Sequence, residues 1–164
     1  MSRKLALDIG AGSRPVSIEG YDVQTLDIRP EVKPTYIGNI DKIPVPDATF
    51  DLLFASHLIE HVKRGQIHQV MKEWRRILRD GGTLQLIVPD LEIACMEILS
   101  TMTTSDTWDI VYGAQDHDYN VHYCGFTWQS LEALIKRYGY KVNKLEMKER
   151  QIFMTCTKEG GWVE

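Results

Sequence analysis

Apolar residues along the chain come in two rhythms. Lys4 to Ile9 is a short run that ends in glycines and reads as a buried strand. Asp22 to Ile28 is a second such run, stopped by Arg29-Pro30. Only Ser13 to Tyr21 lies between them, broken by Pro15 and Gly20, so the connection predicts a turn or loop in place of a full helix. Tyr36-Ile37-Gly38-Asn39-Ile40 predicts a very short third strand, Pro44 and Pro46 an extended connector, and Phe50 to Ala55 a fourth strand. The rhythm then changes. Ile67, Val70, Met71, Trp74, Ile77 and Leu78 recur at helical spacing, with Lys72, Glu73, Arg75 and Arg76 on the other face and Asp80-Gly81-Gly82 as the stop. Thr83 to Val88 predicts a fifth strand closed by Pro89, and Leu91, Ala94, Cys95, Ile98 and Met102 mark another helix. Thr103 to Phe126 has no period and predicts a long loop. Thr127 can cap a last helix bearing Trp128, Leu131, Leu134, Ile135 and Tyr138, ended by Gly139; Val142 to Met147 and Ile152 to Thr157 predict two closing strands. Strands that alternate with helices and finish as a pair predict an α/β fold. Its sheet is mostly parallel, with helices on both faces and one antiparallel edge.

The bulk numbers narrow this picture. At 164 residues, 43% of them hydrophobic, the chain suffices for one domain with a real core. Nineteen basic against 23 acidic residues leave a net charge of −4, which speaks against a partner held by phosphate charge. Cys95, Cys124 and Cys156 are widely spaced and form no C-x-x-C pair, as expected of free thiols in a reducing cytoplasm. No stretch is long and apolar enough for a signal peptide or a bilayer span, so a cytoplasmic protein without a membrane partner is expected.

Candidate chemistry gathers where the first strands end. Gly10 and Gly12 follow the first strand, and without side chains they let a ligand press against the backbone. Asp27, with Ile28 beside it, ends the second strand, in position to accept two hydrogen bonds from a ribose diol. A tight strand-to-loop turn and a strand-end acid are the plainer readings of the same residues. A nicotinamide fingerprint would need a third glycine and a helix for the pyrophosphate; Pro15 stands there and the helix is nearly absent.

Leu7-Asp8-Ile9-Gly10-Ala11-Gly12 resembles the first motif of the class I S-adenosylmethionine-dependent methyltransferases. The Gly38–Asp51 segment is similar to that family's acidic turn, Leu-Pro-Phe-Pro connector and Phe-Asp strand start. Glu60-His61, the Trp74–Leu78 run and Gly81-Gly82 fall in register with it, and Ser56-His57-Leu58-Ile59-Glu60-His61 resembles a small subgroup with a Ser-His-x-x-Glu-His signature. The resemblance covers residues 4–90 best. It implies a Rossmann-like methyltransferase fold over 1–164 as a single domain: seven strands ordered 3-2-1-4-5-7-6, the last antiparallel, with a shortened first helix. The cofactor it implies is S-adenosylmethionine, lying where the strand order reverses.

On that resemblance, Asp8 contacts the ammonium end of the methionine moiety; its alternative is a carboxylate that accepts from the glycine loop. Gly10, Ala11 and Gly12 admit the ribose and methionine backbone, and Asp27 holds the ribose hydroxyls. Asn39 stands where the family usually has Asp for the adenine amine, and its uncharged carbonyl can also accept. Ile40 offers its N–H and an apolar face to the purine. Ser56 and His57 follow the fourth strand, where methionine and acceptor sites meet, and His61 lies one turn on. Each histidine is either a cleft residue or a turn residue held by Glu60. His117 and His122 belong to a loop rich in aromatics and acids and could act as a base near pH 7, or simply pack. His117, His122 and Cys124 fit no common zinc spacing, so no metal is expected. Trp74 reads as core, and Arg75, Arg76 and Arg79 as a solvated basic face. There is no Asp/Asn-Pro-Pro-Tyr tetrad and no Pro-Cys pair after the fourth strand, so nucleic acid is not the expected partner. The expected reaction is methyl transfer to oxygen or nitrogen of a small-molecule or sugar-like acceptor. A non-catalytic cofactor- or nucleoside-binding module, and RNA or protein acceptors, stay open.

Overall fold

The structure is a computed structural model that describes residues 3–100 and 102–160; Met1, Ser2, Thr101 and residues 161–164 lie outside the described part. Seven strands form one sheet: β1 (Lys4–Ile9), β2 (Tyr21–Asp27), β3 (Tyr36–Ile37), β4 (Phe50–Ser56), β5 (Leu78–Pro89), β6 (Tyr140–Lys148) and β7 (Gln151–Lys158). Their order is β3-β2-β1-β4-β5-β7-β6, as the resemblance implies. β1 pairs in parallel with both β2 and β4, and β7 runs antiparallel between β5 and β6. In the middle of the sheet Ala6, Leu7 and Ile9 have no exposed surface, the mark of a parallel strand covered on both faces. Four helices accompany the sheet: α1 (Ile67–Ile77), α2 (Leu91–Leu99), α3 (Ser105–Tyr112) and α4 (Trp128–Arg137). Among the described residues, no helix is long and apolar enough to cross a membrane.

Two local readings change. The glycines at 81 and 82 do not stop a helix. α1 ends at Ile77, and Leu78 already pairs with Phe50 of β4. The Arg79–Gly82 stretch then bulges out before regular pairing resumes at Leu52 and Thr83. Gly81 takes a left-handed φ of +74°, and a Cβ on Gly82 would lie 2.7 Å from the Leu78 side chain and 2.8 Å from the Arg79 carbonyl. The expected 103–126 loop also contains a helix, α3, closed at its start by a Thr104–Thr107 capping box. Its Trp108 and Tyr112 stay exposed, so it lacks the apolar stripe that would have marked it in the sequence.

Of the three arginines after Trp74, Arg79 is exposed as a solvated face requires, but Arg75 and Arg76 are not. Arg75 is buried and donates to the carbonyls of Tyr138, Gly139 and Glu159, tying α1 to the turn before β6 and the end of β7. Arg76 binds Glu73, Asp47 and the Val45 and Ile43 carbonyls, and Arg79 binds Asp51 and the Ala48 carbonyl. These contacts pin the proline-rich connector to α1. Trp74 is fully buried and donates from Nε1 to the Ile40 carbonyl at 3.2 Å, which anchors the turn after β3.

The bulge makes a direct test. Gly82→Ala is expected to cost about 1–3 kcal/mol, the range of overpacking at a closed site. Gly65→Ala, whose Cβ would meet nothing within 4 Å, should stay within about 0.5 kcal/mol. Urea denaturation of the two variants checks this, and equal losses would show that the bulge tolerates a side chain.

Candidate functional site

The carboxyl ends of β1 and β4 point the same way but feed connections that leave in opposite directions along the sheet, opening a crevice between them. After β1, Gly10 turns with φ +73° and donates to the Leu26 carbonyl at 2.8 Å, followed by Ala11 at 3.2 Å. Gly12, at φ +58°, donates to Asp27 Oδ2 at 2.8 Å. Asp27 is buried, and its carboxylate also accepts from the Arg29 backbone N–H at 2.9 Å and from the Arg29 guanidinium at 3.0 and 3.2 Å. Burial pulls the Asp27 pKa upward, but the hydrogen bonds from Arg29 and Gly12 outweigh it and hold the carboxyl below its ordinary range. Asp8 lies beneath the turn and accepts from the Val16 N–H at 2.8 Å; burial raises its pKa, partly offset by that bond, with the Asp27 charge adding to the rise.

A cavity of about 520 Å³ fills the crevice. Gly10, Asp27, Ile28, Arg29, Gly38, Asn39 and Ile40 line one side; His57, Leu58 and His61 come from the end of β4, and His117 to Asn120 with Tyr123 from the long loop. Eight residues named from the sequence therefore share one cavity: Gly10, Asp27, Ile28, Asn39, Ile40, His57, His61 and His117. Asp8, Ala11, Gly12, Ser56 and His122 do not line it. Gly12 acts through Asp27, and Ser56 ends β4 in register with Ile87. His122 borders a second cavity of about 300 Å³ with His57, Asp106, Asp109, Asn120 and Arg150. His57 and Asn120 belong to both cavities.

The turn after β4 is unusual. His57 adopts φ +50°, a left-handed conformation costly for a residue with a side chain, while its N–H donates to the Ile87 carbonyl at 2.9 Å. Its Nδ1 lies 3.4 Å from Glu60 Oε1, and that carboxylate raises the His57 pKa against the opposing pull of burial. Glu60 is only 1% exposed. His61 contacts the Val121 carbonyl through Nδ1 at 3.0 Å, and burial lowers its pKa despite the neighbouring Glu60. The loop returns these contacts: Tyr123 and Cys124 donate their N–H groups to the Glu60 carbonyl, and the Cys124 thiol donates to the Val62 carbonyl at 2.8 Å. Cys124 is thereby occupied, and His117 lines the cavity with Asp116 at 3.8 Å from its Nε2. The sequence reading missed Arg29 and Tyr123 and saw Glu60 only as a histidine's partner. Arg29 did carry a signal, since a cation two residues after Asp27 can fold back on its carboxylate.

A family model described as a methyltransferase domain matches residues 7–86, from β1 into β5. A protein of Encephalitozoon cuniculi (strain GB-M1) that carries the name of a methyltransferase is 38% identical over 52 residues, 31% of this chain and 25% of its own. The chain thus spans about a quarter of the length of that curated relative. Among solved structures, a SAM-dependent methyltransferase of Methanosarcina mazei superposes with a TM-score of 0.74 at 19% identity, over 97% of this chain and 94% of its own. The Burkholderia thailandensis 1,6-didemethyltoxoflavin-N1-methyltransferase, solved with 1,6-didemethyltoxoflavin and S-adenosylhomocysteine, gives a TM-score of 0.68 at 14% identity over 96% of this chain and 72% of its own. The fold is the one these solved methyltransferases share, and the stretch that matches the methyltransferase-domain model runs from β1 into β5.

The buried carboxylate under the turn yields a pH test. A raised pKa in the folded state means that Asp8 stabilises the fold when protonated and loses that contribution as pH rises through the folded pKa. Asp8→Asn keeps an oxygen for the Val16 N–H without the charge. It is expected to be at least as stable as the parent at pH 7, with the advantage shrinking as pH falls toward about 4, the ordinary carboxylate value. Urea midpoints across that range check the sign; a parent more stable at pH 7 would contradict it.

Proposed function

We propose that this chain transfers a methyl group from S-adenosylmethionine to an oxygen or nitrogen atom of a small-molecule or sugar-like acceptor bound in the crevice. The observation that carries the reading is the coincidence of the family match with the cavity. The matched stretch, residues 7–86, contains the glycine turn, Asp27, Asn39, Ile40 and His57, and one cavity at the strand switch point touches all of these elements. Cofactor chemistry fits the residues present. Gly10 borders the cavity with only the Leu58 side chain packed on it, so a ribose would meet the turn there once Leu58 gives way, with Ala11 and Gly12 carrying the turn past it, and Asp27 with Ile28 would hold the ribose edge. Asp27 is already an acceptor for several donors, so a diol would substitute for the Arg29 guanidinium on the same carboxylate. Asn39 and Ile40 would meet the adenine, with Ile40 steadied from behind by Trp74. Asp8 and Ser56 would lie toward the methionine end. When bound, S-adenosylmethionine supplies an electrophilic methyl on a sulfonium, and alignment of the acceptor atom is the main demand on the protein.

The acceptor side is polar and histidine-rich. His57 stands where the two cavities meet, and the smaller one presents Asp106, Asp109 and Arg150. Carboxylates and a guanidinium around a compact space suit a hydroxyl-bearing molecule, since each can take part in charge-assisted hydrogen bonds. His57, His61 and His117 line the larger cavity, and His57 and His117 would hold or take up the acceptor's proton; His122 packs edge to face on His61 from the side of the smaller cavity.

Calorimetry tests the cofactor half. S-adenosylmethionine or its demethylated product should bind and NAD should not, and Asp27→Ala should weaken binding by about 1.5–3 kcal/mol, the scale of hydrogen bonds to a charged group. Preference for NAD, or an unchanged affinity in the variant, would overturn the assignment. Labelled cofactor incubated with a small-metabolite extract should yield a labelled product. His57→Ala should slow that transfer by ~10²–10⁴ with little change in cofactor affinity.

A further inference from the structure

Between the two cavities, three side chains turn acceptor atoms toward one another. Glu60 is buried at 1% exposure, and neither of its carboxylate oxygens accepts a hydrogen bond among the described residues; His57 Nδ1 lies 3.4 Å from Oε1. His61 Nδ1 lies 3.0 Å from the Val121 carbonyl, and His122 Nδ1 lies 2.9 Å from the Ile110 carbonyl. A carbonyl cannot donate, so both Nδ1 atoms carry a proton and Nε2 is left as the atom of each ring that can offer a lone pair. The two rings meet edge to face with centroids 4.8 Å apart. One ligand atom from each of Glu60, His61 and His122 lies within 4.8 Å of the others.

We infer that Glu60, His61 and His122 form a binding site for one divalent transition-metal ion of the zinc class. A buried, unsatisfied carboxylate is costly unless a cation meets it. Two imidazoles whose tautomers are fixed by backbone carbonyls have the outer-shell support that metal-ligating histidines use. Two nitrogens and one carboxylate oxygen favour zinc, cobalt or iron over the hard cations magnesium and calcium, which take oxygen. Metal–nitrogen bonds of about 2.0–2.1 Å put donors roughly 3–4 Å apart, so inward shifts of less than about an ångström complete the set. The ligands come from two interlocked segments: Glu60 and His61 from the turn after β4, and His122 from the loop that hydrogen-bonds back onto that turn. An ion there would also staple the loop over the crevice. Three protein ligands leave a coordination position open, and His61 borders the larger cavity while His122 borders the smaller. The ion would therefore orient a hydroxyl of the acceptor, a role that rests on the methyl-transfer reading, whereas the site itself does not.

Cobalt(II) alone is the probe. The full chain is freed of metal with a chelator and titrated with Co²⁺ while visible absorption is recorded. One equivalent should bind with ligand-field bands that Zn²⁺ abolishes. Glu60→Gln, which keeps the shape of the side chain, and His122→Ala should each weaken Co²⁺ at least ~10-fold, while His117→Ala leaves it unchanged. Circular dichroism confirms that each variant is folded, and Glu60→Gln decides the matter if His122→Ala is not. No saturable Co²⁺ binding, or equal binding by folded Glu60→Gln, overturns the site. Cofactor calorimetry on the same metal-free protein separates the two readings, because it depends on Asp27 and not on this cluster.

Discussion

The double parallel pairing of β1 is the constraint on which everything else depends. Hydrogen-bonded to β2 on one side and β4 on the other, it forces the chain to leave its carboxyl end in one direction and return in the other. Parallel neighbours cannot be joined by a tight hairpin, so each crossover must travel over the sheet and come back. The connections part above β1, and the gap they leave is the crevice. In this chain the first crossover is unusually spare. Residues 10–20 contain only turns, so the glycine loop is held by backbone bonds to Leu26 and by Asp27 rather than by a helix end. That shifts the electrostatic burden from a helix N-terminus to a carboxylate, an arrangement suited to a neutral diol and poorly suited to a pyrophosphate.

A crevice bounded by loops needs those loops held still, and the chain does this with long polar side chains that reach backbone carbonyls. Arg76 alone reaches Ile43, Val45, Asp47 and Glu73, while Glu73 accepts the Ile43 N–H. The connector between β3 and β4 has two prolines and little regular structure, so its carbonyls have few partners of their own; the guanidinium supplies them from α1. Trp74 extends the same clamp to Ile40 at the cavity edge. Core packing and the cavity edge are thus one hydrogen bond apart. The helix that fills the core on one face also sets the height of the turn that borders the cavity.

This division explains what could be read from the sequence. Period and punctuation mark the strands, α1, α4 and their order, because burial on a regular element writes itself into spacing. The shared position of Gly10 and Asp27 was legible because both lie at the ends of neighbouring parallel strands, which open onto the same crevice. Arg75 and Arg76 were misread because charge on a helix normally means solvent, and nothing local reveals that partner carbonyls lie about 30 to 85 residues away. Helix α3 escaped notice for the opposite reason: it is short, capped by a threonine pair and half exposed, so its pattern is faint. Glu60 is the deepest case. An acid between two apolar turns looks like a surface residue, and its burial exists only because the 121–124 segment, some sixty residues on, closes over it.

That closure raises a question of energetics whose answer bears on chemistry. Burying a carboxylate beside two imidazole lone pairs is a poor way to stabilise a fold; an apolar side chain of similar size would serve better. The surrounding backbone is nonetheless arranged to keep it there. The Glu60 carbonyl takes two N–H groups, Cys124 covers Val62, and His57 accepts a left-handed backbone to face the same carboxylate. These three features, none of them adding apolar burial, converge on one polar point between two cavities. Strain and unsatisfied polarity concentrated beside a ligand-sized space are what a reactive site costs, and they persist where the surrounding structure over-determines them. The polar cluster therefore belongs with the chemistry of the crevice rather than with the core. The loop that bears His122 is as much a part of the site as the strands that open it.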